Sequence, residues 1–268
     1  MTEVLFHYPV DGLRVTGTLS LPAGPPAPVV LMLHGFTGTR HEMPVAHTSD
    51  GVFSRTARLL AEAGFASLRI DFRGNGDSEG DFADTTYDAQ IADASAAIRL
   101  LTHDSRVNGA KLALLGWSQG GLVAASVAGR TKAVKACALW AAVSLPVAGR
   151  AFLLGPENLK HGLPTDGSLI TIHFAGKTIA LKRAFFDQME THDPLREIAR
   201  YHGPLFIAHG TRDEAIPVAA ANLYAMAHKG PHQSWITDMD HSFNASQGPE
   251  MLDQMIAATI AFLTPSLS

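Results

Sequence analysis

The pentapeptide Gly116-Trp117-Ser118-Gln119-Gly120 places a serine between glycines. It follows the apolar run Leu112-Ala113-Leu114-Leu115 and precedes the small-residue stretch Leu122–Ala128. A serine between a strand end and a helix start must make a very sharp turn, and side chains beside it would collide with both elements unless they were glycine. Such a turn holds the hydroxyl above the sheet edge. The helix N-terminus then directs unpaired N–H groups and a partial positive charge towards any negative charge formed there. That is a setting for nucleophilic catalysis. The pentapeptide alone also fits a plainer role, with Ser118 as the N-cap of a helix.

A serine nucleophile needs a base, and the base needs an acid to orient it. After the apolar run Leu205–His209 comes Gly210-Thr211-Arg212-Asp213-Glu214-Ala215-Ile216-Pro217, which puts an acid on a loop at the C-terminal end of a strand, where open α/β sheets receive ligands. Asp213 is the expected acid. Ile216-Pro217 opens the next helix, so its neighbour Glu214 is expected in that helix's first turn, where it favours the dipole. Among thirteen histidines, His241, in Asp238-Met239-Asp240-His241-Ser242, alone follows the acid in chain order and sits on a loop after the last strand. Oxyanion donors complete the requirement. The glycine-bearing loop His34-Gly35-Phe36-Thr37-Gly38 can turn the Phe36 N–H towards the serine, with the Gln119 N–H as its companion. Taken alone, that loop also reads as an ordinary strand-ending turn.

The elements that must position these residues alternate between short apolar runs and longer stretches of helical period. Residues 3–8 and 13–20 read as strands joined at Asp11-Gly12, and the proline-rich stretch 22–28 as a connector unable to form a strand interior. Strands follow at 29–33, 65–70, 111–115, 134–140, 205–209 and 234–237. Helices are expected at 51–63 with Asp50 as N-cap, at 86–102, from Ser118, at 218–228 and at 248–263. Continuous apolar strands are what a parallel sheet covered by helices requires. The alternation breaks near 144 and resumes with the strand at 205, so residues 144–192 read as an insertion within a single domain, 1–268.

Composition narrows the function. With 46% hydrophobic and 17% charged residues, the chain can bury one large core. A net charge of −4 and the absence of any basic cluster argue against nucleic acid or a membrane surface as partner, leaving a small molecule. The N-terminus lacks a charged region leading into an apolar stretch, and a cytoplasmic location is expected. Cys137 lies in an apolar run and reads as a buried, inert thiol. The glycines of Asp71–Gly80 do not fit a dinucleotide loop, because Glu79 stands where the third glycine would be; Arg73 is expected to pair locally there. No cofactor and no metal are expected.

In chain order, HGFTG (34–38), DFRGNGDSEG (71–80), GWSQGG (116–121), HGTRDEAIP (209–217) and DHSF (240–243) together resemble the α/β-hydrolase superfamily over nearly the whole chain. The HGFTG loop, the elbow and the length of the insertion are similar to those of the bacterial cinnamoyl (feruloyl) esterases and their carboxylesterase relatives. The resemblance implies a mostly parallel eight-stranded sheet flanked by helices, with a lid inserted after the sixth strand. It also implies Ser118 as nucleophile, His241 as base, Asp213 as its orienter, and Phe36 and Gln119 as oxyanion donors. His34, Gly35 and Trp117 are expected at the substrate site, with Asp166, His173 and Gln188 as polar contacts from the lid. The sequence departs from the subgroup in having no tyrosine between 144 and 200 to meet a phenolic hydroxyl. The implied activity is a serine carboxylesterase acting on small acyl or aryl esters, cinnamoyl and feruloyl esters among them. A thioesterase, an amidase or a peptidase-like hydrolase uses the same triad, and a non-catalytic, ligand-sensing scaffold is the alternative of another class.

Overall fold

The computed structural model describes residues 1–268. Its first strands, β1 (Thr2–Val10) and β2 (Leu13–Leu21), form a hairpin across Asp11 and Gly12, both left-handed as a tight turn requires. Then come β3 (Ala27–Leu33), α1 (Val52–Glu62), β4 (Ala66–Asp71), a short 3₁₀ turn at Phe82–Asp84, α2 (Tyr87–Leu101), β5 (Val107–Trp117), α3 (Gln119–Arg130) and β6 (Val134–Trp140). The next segment holds α4 (Pro146–His161), the hairpin β7 (Ile170–Phe174) and β8 (Lys177–Leu181), and α5 (Arg183–Thr191). The chain closes with α6 (Pro194–Ile198), β9 (Leu205–Gly210), α7 (Ala219–Ala227), β10 (His232–Thr237) and α8 (Glu250–Ser266).

Eight strands form one sheet in the order β1-β2-β4-β3-β5-β6-β9-β10. β2 is antiparallel to both its neighbours, and all other pairings are parallel. Alternate residues of a strand face opposite sides, so the central strands feed two cores. Val29, Leu31, Leu112, Leu114, Cys137 and Leu139 pack under α2 and α3. Val30, Met32, Ala113, Leu115, Ala136 and Ala138 pack under α1 and α8. This is the mostly parallel eight-stranded architecture expected from the sequence. Burial in this setting pushes the Cys137 thiol up and keeps it protonated.

Two local expectations fail for identifiable reasons. β3 begins inside the proline-rich connector, because Pro28 sits beside a register shift where the missing N–H breaks no ladder bond. Asp50 does not cap α1: Gly51 is the N-cap, and the Asp50 carboxylate pairs instead with Arg55 and Arg58. Within 144–192, α4 kinks at Gly155, whose φ of 68° ends one helical segment just before Pro156 begins the next. No helix is long and apolar enough to cross a membrane.

Candidate active site

Ser118 lies between the last residue of β5 and the first of α3, with φ 57° and ψ −116°, a conformation that a non-glycine residue adopts only when its surroundings force it. Those surroundings are backbone atoms. The Ser118 N–H donates to the Trp140 carbonyl at 2.9 Å, and the Ser118 carbonyl accepts from Gly121 and Val143. A Cβ on Gly116 would lie 2.2 Å from the Gly120 oxygen, and one on Gly120 would lie 2.0 Å from the Leu33 oxygen. The glycines are therefore what lets β3, β5 and α3 close around the serine.

The loops after β9 and β10 converge on it. Asp240 accepts from the Ser242 and Asn244 N–H groups, and the Trp117 indole donates to the His241 carbonyl at 3.2 Å, which together fix the His241 backbone. His241 Nε2 lies 3.1 Å from Ser118 Oγ, and its Nδ1 lies 2.8 Å from Asp213 Oδ2. Asp213 is buried, and its Oδ1 accepts the Ala215 and Ile216 N–H groups at 3.0 and 2.8 Å. Since Oδ2 can only accept, Nδ1 carries the hydrogen and Nε2 presents a lone pair to the serine hydroxyl. Burial alone would raise the Asp213 pKa, but hydrogen bonds from His209 and His241 outweigh it and hold the carboxylate well below its usual range.

The Phe36 N–H, on the loop after β3, donates to no protein acceptor. Gln119 is the first residue of α3, where an N–H has no intrahelical partner; its side chain is tied to Gln90 at 2.9 Å. A Cβ on Gly35 would stand 3.5 Å from Ser118 Cβ, so the loop after β3 lies directly against the serine. The Phe36 ring meets Phe82 at 5.6 Å, Phe174 of β7 at 5.1 Å and Phe185 of α5 at 5.3 Å between centroids. The segment 144–192 thus touches the loop that carries the Phe36 N–H.

Several residues expected to contact substrate do other work. His34 is fully buried, accepts the Phe72 N–H at Nε2 and donates from Nδ1 to the Gly35 carbonyl, so it braces the loop from behind; burial lowers its pKa and keeps it neutral. Trp117 packs behind Ser118 against Phe53, Phe243 and His241. Asp166 is exposed and turned onto Ser168. Alternation along β7 brings Phe174 to Phe36 and leaves His173 on the exposed face, bonded to Thr178. Gln188 clamps the start of α2 through the Asp88 N–H and carboxylate. No hydrogen bond joins any of these three to Ser118, His241 or Asp213. Glu214 is exposed on the loop and lies outside α7, which starts five residues later at Ala219.

Other groups at the site carry weak sequence signals. His209 Nε2 lies 3.2 Å from Asp213 Oδ2 and 2.9 Å from the Ile216 carbonyl, a contact hinted at only by its position four residues before the acid. Glu42 accepts the Gly35 N–H at 2.6 Å, with no motif to announce it. Arg40 ties the same loop to the Asp71–Gly80 turn through Asp71 and Asp77. Arg73, as expected, pairs locally, with Asp93 and Asp11.

The family model described as alpha/beta hydrolase fold matches residues 28–163. An uncharacterized protein of Rickettsia prowazekii is 30% identical over 124 residues, covering 46% of this chain and 48% of its own. The uncharacterized peptidase YuxL of Bacillus subtilis is 25% identical over 242 residues, covering 85% of this chain and 33% of its own. The chain therefore spans about half the length of the first relative and a third of the second. The solved structure of Est1E from Butyrivibrio proteoclasticus with ferulic acid bound superposes with a TM-score of 0.80 at 22% identity, covering 97% of this chain and 98% of that one. With the family model spanning β3, the serine turn and α3, and the same fold extending over the whole sheet, this chain belongs to the α/β-hydrolase fold family.

Proposed function

We propose that the protein is a serine carboxylesterase that cleaves small acyl or aryl esters through an acyl-enzyme, with Ser118 as nucleophile. The observation that carries this reading is the unbroken chain Ser118–His241–Asp213, at 3.1 and 2.8 Å, with the loop that holds the Phe36 N–H packed against the serine. In the first step His241 Nε2 takes the hydroxyl proton as Ser118 Oγ attacks the ester carbonyl. The carbonyl electron pair moves onto oxygen, where the Phe36 and Gln119 N–H groups receive it. Collapse of the adduct expels the alkoxide, which takes the proton from His241. A water then repeats the sequence on the acyl-enzyme and releases the acid. Asp213 stays ionised throughout and stabilises the imidazolium.

The acyl group is placed by what lies beside the Phe36 donor. Phe36, Phe174 and Phe185 offer apolar and aromatic area and no phenolic partner, which favours aromatic or aliphatic acids without demanding a ring hydroxyl. In this reading residues 144–192 act as a lid over that pocket. The ferulic acid in the Est1E structure supports an aryl-ester substrate. The word peptidase in the name of the Bacillus relative favours a second reading, amide cleavage by the same triad. Parallel assay of p-nitrophenyl esters, an acyl thioester and an acyl anilide decides between them. Fastest turnover of the ester, lost in Ser118→Ala, is expected; faster turnover of the anilide or thioester would reassign the substrate class.

A further inference from the structure

The loop that carries the Phe36 N–H must hold one orientation while containing two left-handed residues that are not glycine, Thr37 and Glu42, each at φ 60°. Each such residue is strained and persists only where its neighbours over-determine it. The direction of the Phe36 N–H is set by the carbonyl of Gly35, because the two groups share one planar trans peptide and point oppositely. That carbonyl is held by the His34 Nδ1–H at 2.8 Å and the Gly38 N–H at 3.1 Å. Gly35, with no Cβ, leaves its two torsions soft, so the preceding peptide must be pinned as well. Its N–H donates to Glu42 Oε1 at 2.6 Å.

The Glu42 carboxyl occupies the inside of this turn. A Cβ on Gly38 would lie 2.7 and 2.8 Å from its two oxygens, and one on Gly35 would lie 3.6 Å from Oε1 and 3.5 Å from Ser118 Cβ. The same small volume borders the serine on one side and Glu42 on the other. Apart from burial, the Gly35 N–H is the only group acting on this carboxyl, and no cation pairs with it. An unpaired carboxyl withdrawn from water is a cost to stability, not a surface ornament.

We propose that Glu42 is a positioning residue for ester cleavage, whose carboxyl oxygen locks the Gly35–Gly38 turn and so keeps the Phe36 N–H aimed at the developing oxyanion. The proposal rests on the serine-esterase reading. Glu42→Met keeps the length of the side chain and removes the acceptor, whereas Glu42→Gln keeps an acceptor oxygen. Removing one oxyanion donor outright costs about 10²–10³ in kcat; misaiming one is expected to cost about 10–100-fold. Glu42→Met should therefore lower kcat/KM for p-nitrophenyl acetate by that factor and weaken a trifluoromethyl ketone, which forms a tetrahedral adduct on the serine, by the same factor. The Gly35 amide proton should move upfield in Glu42→Met, and Glu42→Gln should recover most of the activity. Unchanged kcat/KM in folded Glu42→Met, or loss of activity without matching loss of ketone affinity, overturns the proposal. If Glu42→Met does not fold, Glu42→Gln decides alone: activity reduced more than tenfold, or a Gly35 amide shifted as for a free N–H, counts against it. A wild type that neither turns over the ester nor binds the ketone would overturn the serine reading itself, and Glu42's role with it.

Discussion

Replacing Asp213 by asparagine tests the orientation of the base, and the surrounding bonds fix what the amide must do. Oδ1 accepts two backbone N–H groups at 3.0 and 2.8 Å, so the asparagine oxygen has to occupy that position; the flipped amide would set its NH₂ against two donors. The NH₂ then replaces Oδ2, which now receives the hydrogen of His241 Nδ1 at 2.8 Å. Two donors cannot share that contact, so the imidazole moves its hydrogen to Nε2, the atom 3.1 Å from Ser118 Oγ. An Nε2 that carries a hydrogen cannot accept the serine proton. The expected loss in kcat is about 10⁴, or about 5 kcal/mol of barrier. Glu214→Gln, on an exposed side chain, is expected to stay within about twofold. Steady-state hydrolysis of p-nitrophenyl acetate measures both, with circular dichroism to verify folding. An Asp213→Asn enzyme retaining a tenth of wild-type kcat, or a Glu214→Gln enzyme losing most of it, would refute the reasoning.

Gly120→Ala is expected to abolish soluble folded protein or cut activity by orders of magnitude, because its Cβ would meet the Leu33 oxygen at 2.0 Å; expression and kcat of the variant measure it. Methyl cinnamate and methyl p-coumarate should have kcat/KM values within about tenfold of each other, since the phenylalanine rings of the proposed acyl site give a hydroxyl no partner of their own; a strong preference for p-coumarate would reveal a dedicated partner. Burial pushes the Glu42 carboxyl from 4.5 up to about 8. Below pH 4.5 both folded and unfolded states hold that proton, and between 4.5 and 8 only the folded state does. The contribution to stability is thus lost as pH rises through this window. The Tm of Glu42→Gln relative to wild type should accordingly increase from pH 4.5 to pH 8, and a flat difference would contradict the assignment.

The parallel sheet was legible because its strands are continuous apolar runs, and the elbow because glycines flank a serine between strand and helix. Chain order and loop position brought Asp213 and His241 forward, and the structure places His241 within hydrogen-bonding distance of both Asp213 and Ser118. What sequence reading could not supply was direction. His34 and Trp117 are adjacent in sequence to site residues, yet their side chains point into the core and brace the loops from behind. In the 144–192 segment the polar residues were expected to face the substrate. Instead β7 alternation and the Asp88 clamp turn His173 and Gln188 away, while Phe174 and Phe185 reach Phe36 and Phe152 stands exposed. Glu42 meets the Gly35 N–H, and His209 at the end of β9 meets Asp213 and the Ile216 carbonyl, through loop geometry that leaves no periodic trace in sequence.

The central claim is that Ser118 is a nucleophile made reactive by His241. Treating the protein with a fluorophosphonate and mapping the modified peptide by mass spectrometry tests it most directly. The account predicts one adduct, on Ser118, formed in step with loss of esterase activity and absent from His241→Ala over the same interval. Full inactivation with the adduct on another residue, or an active protein that takes up no label, would contradict it.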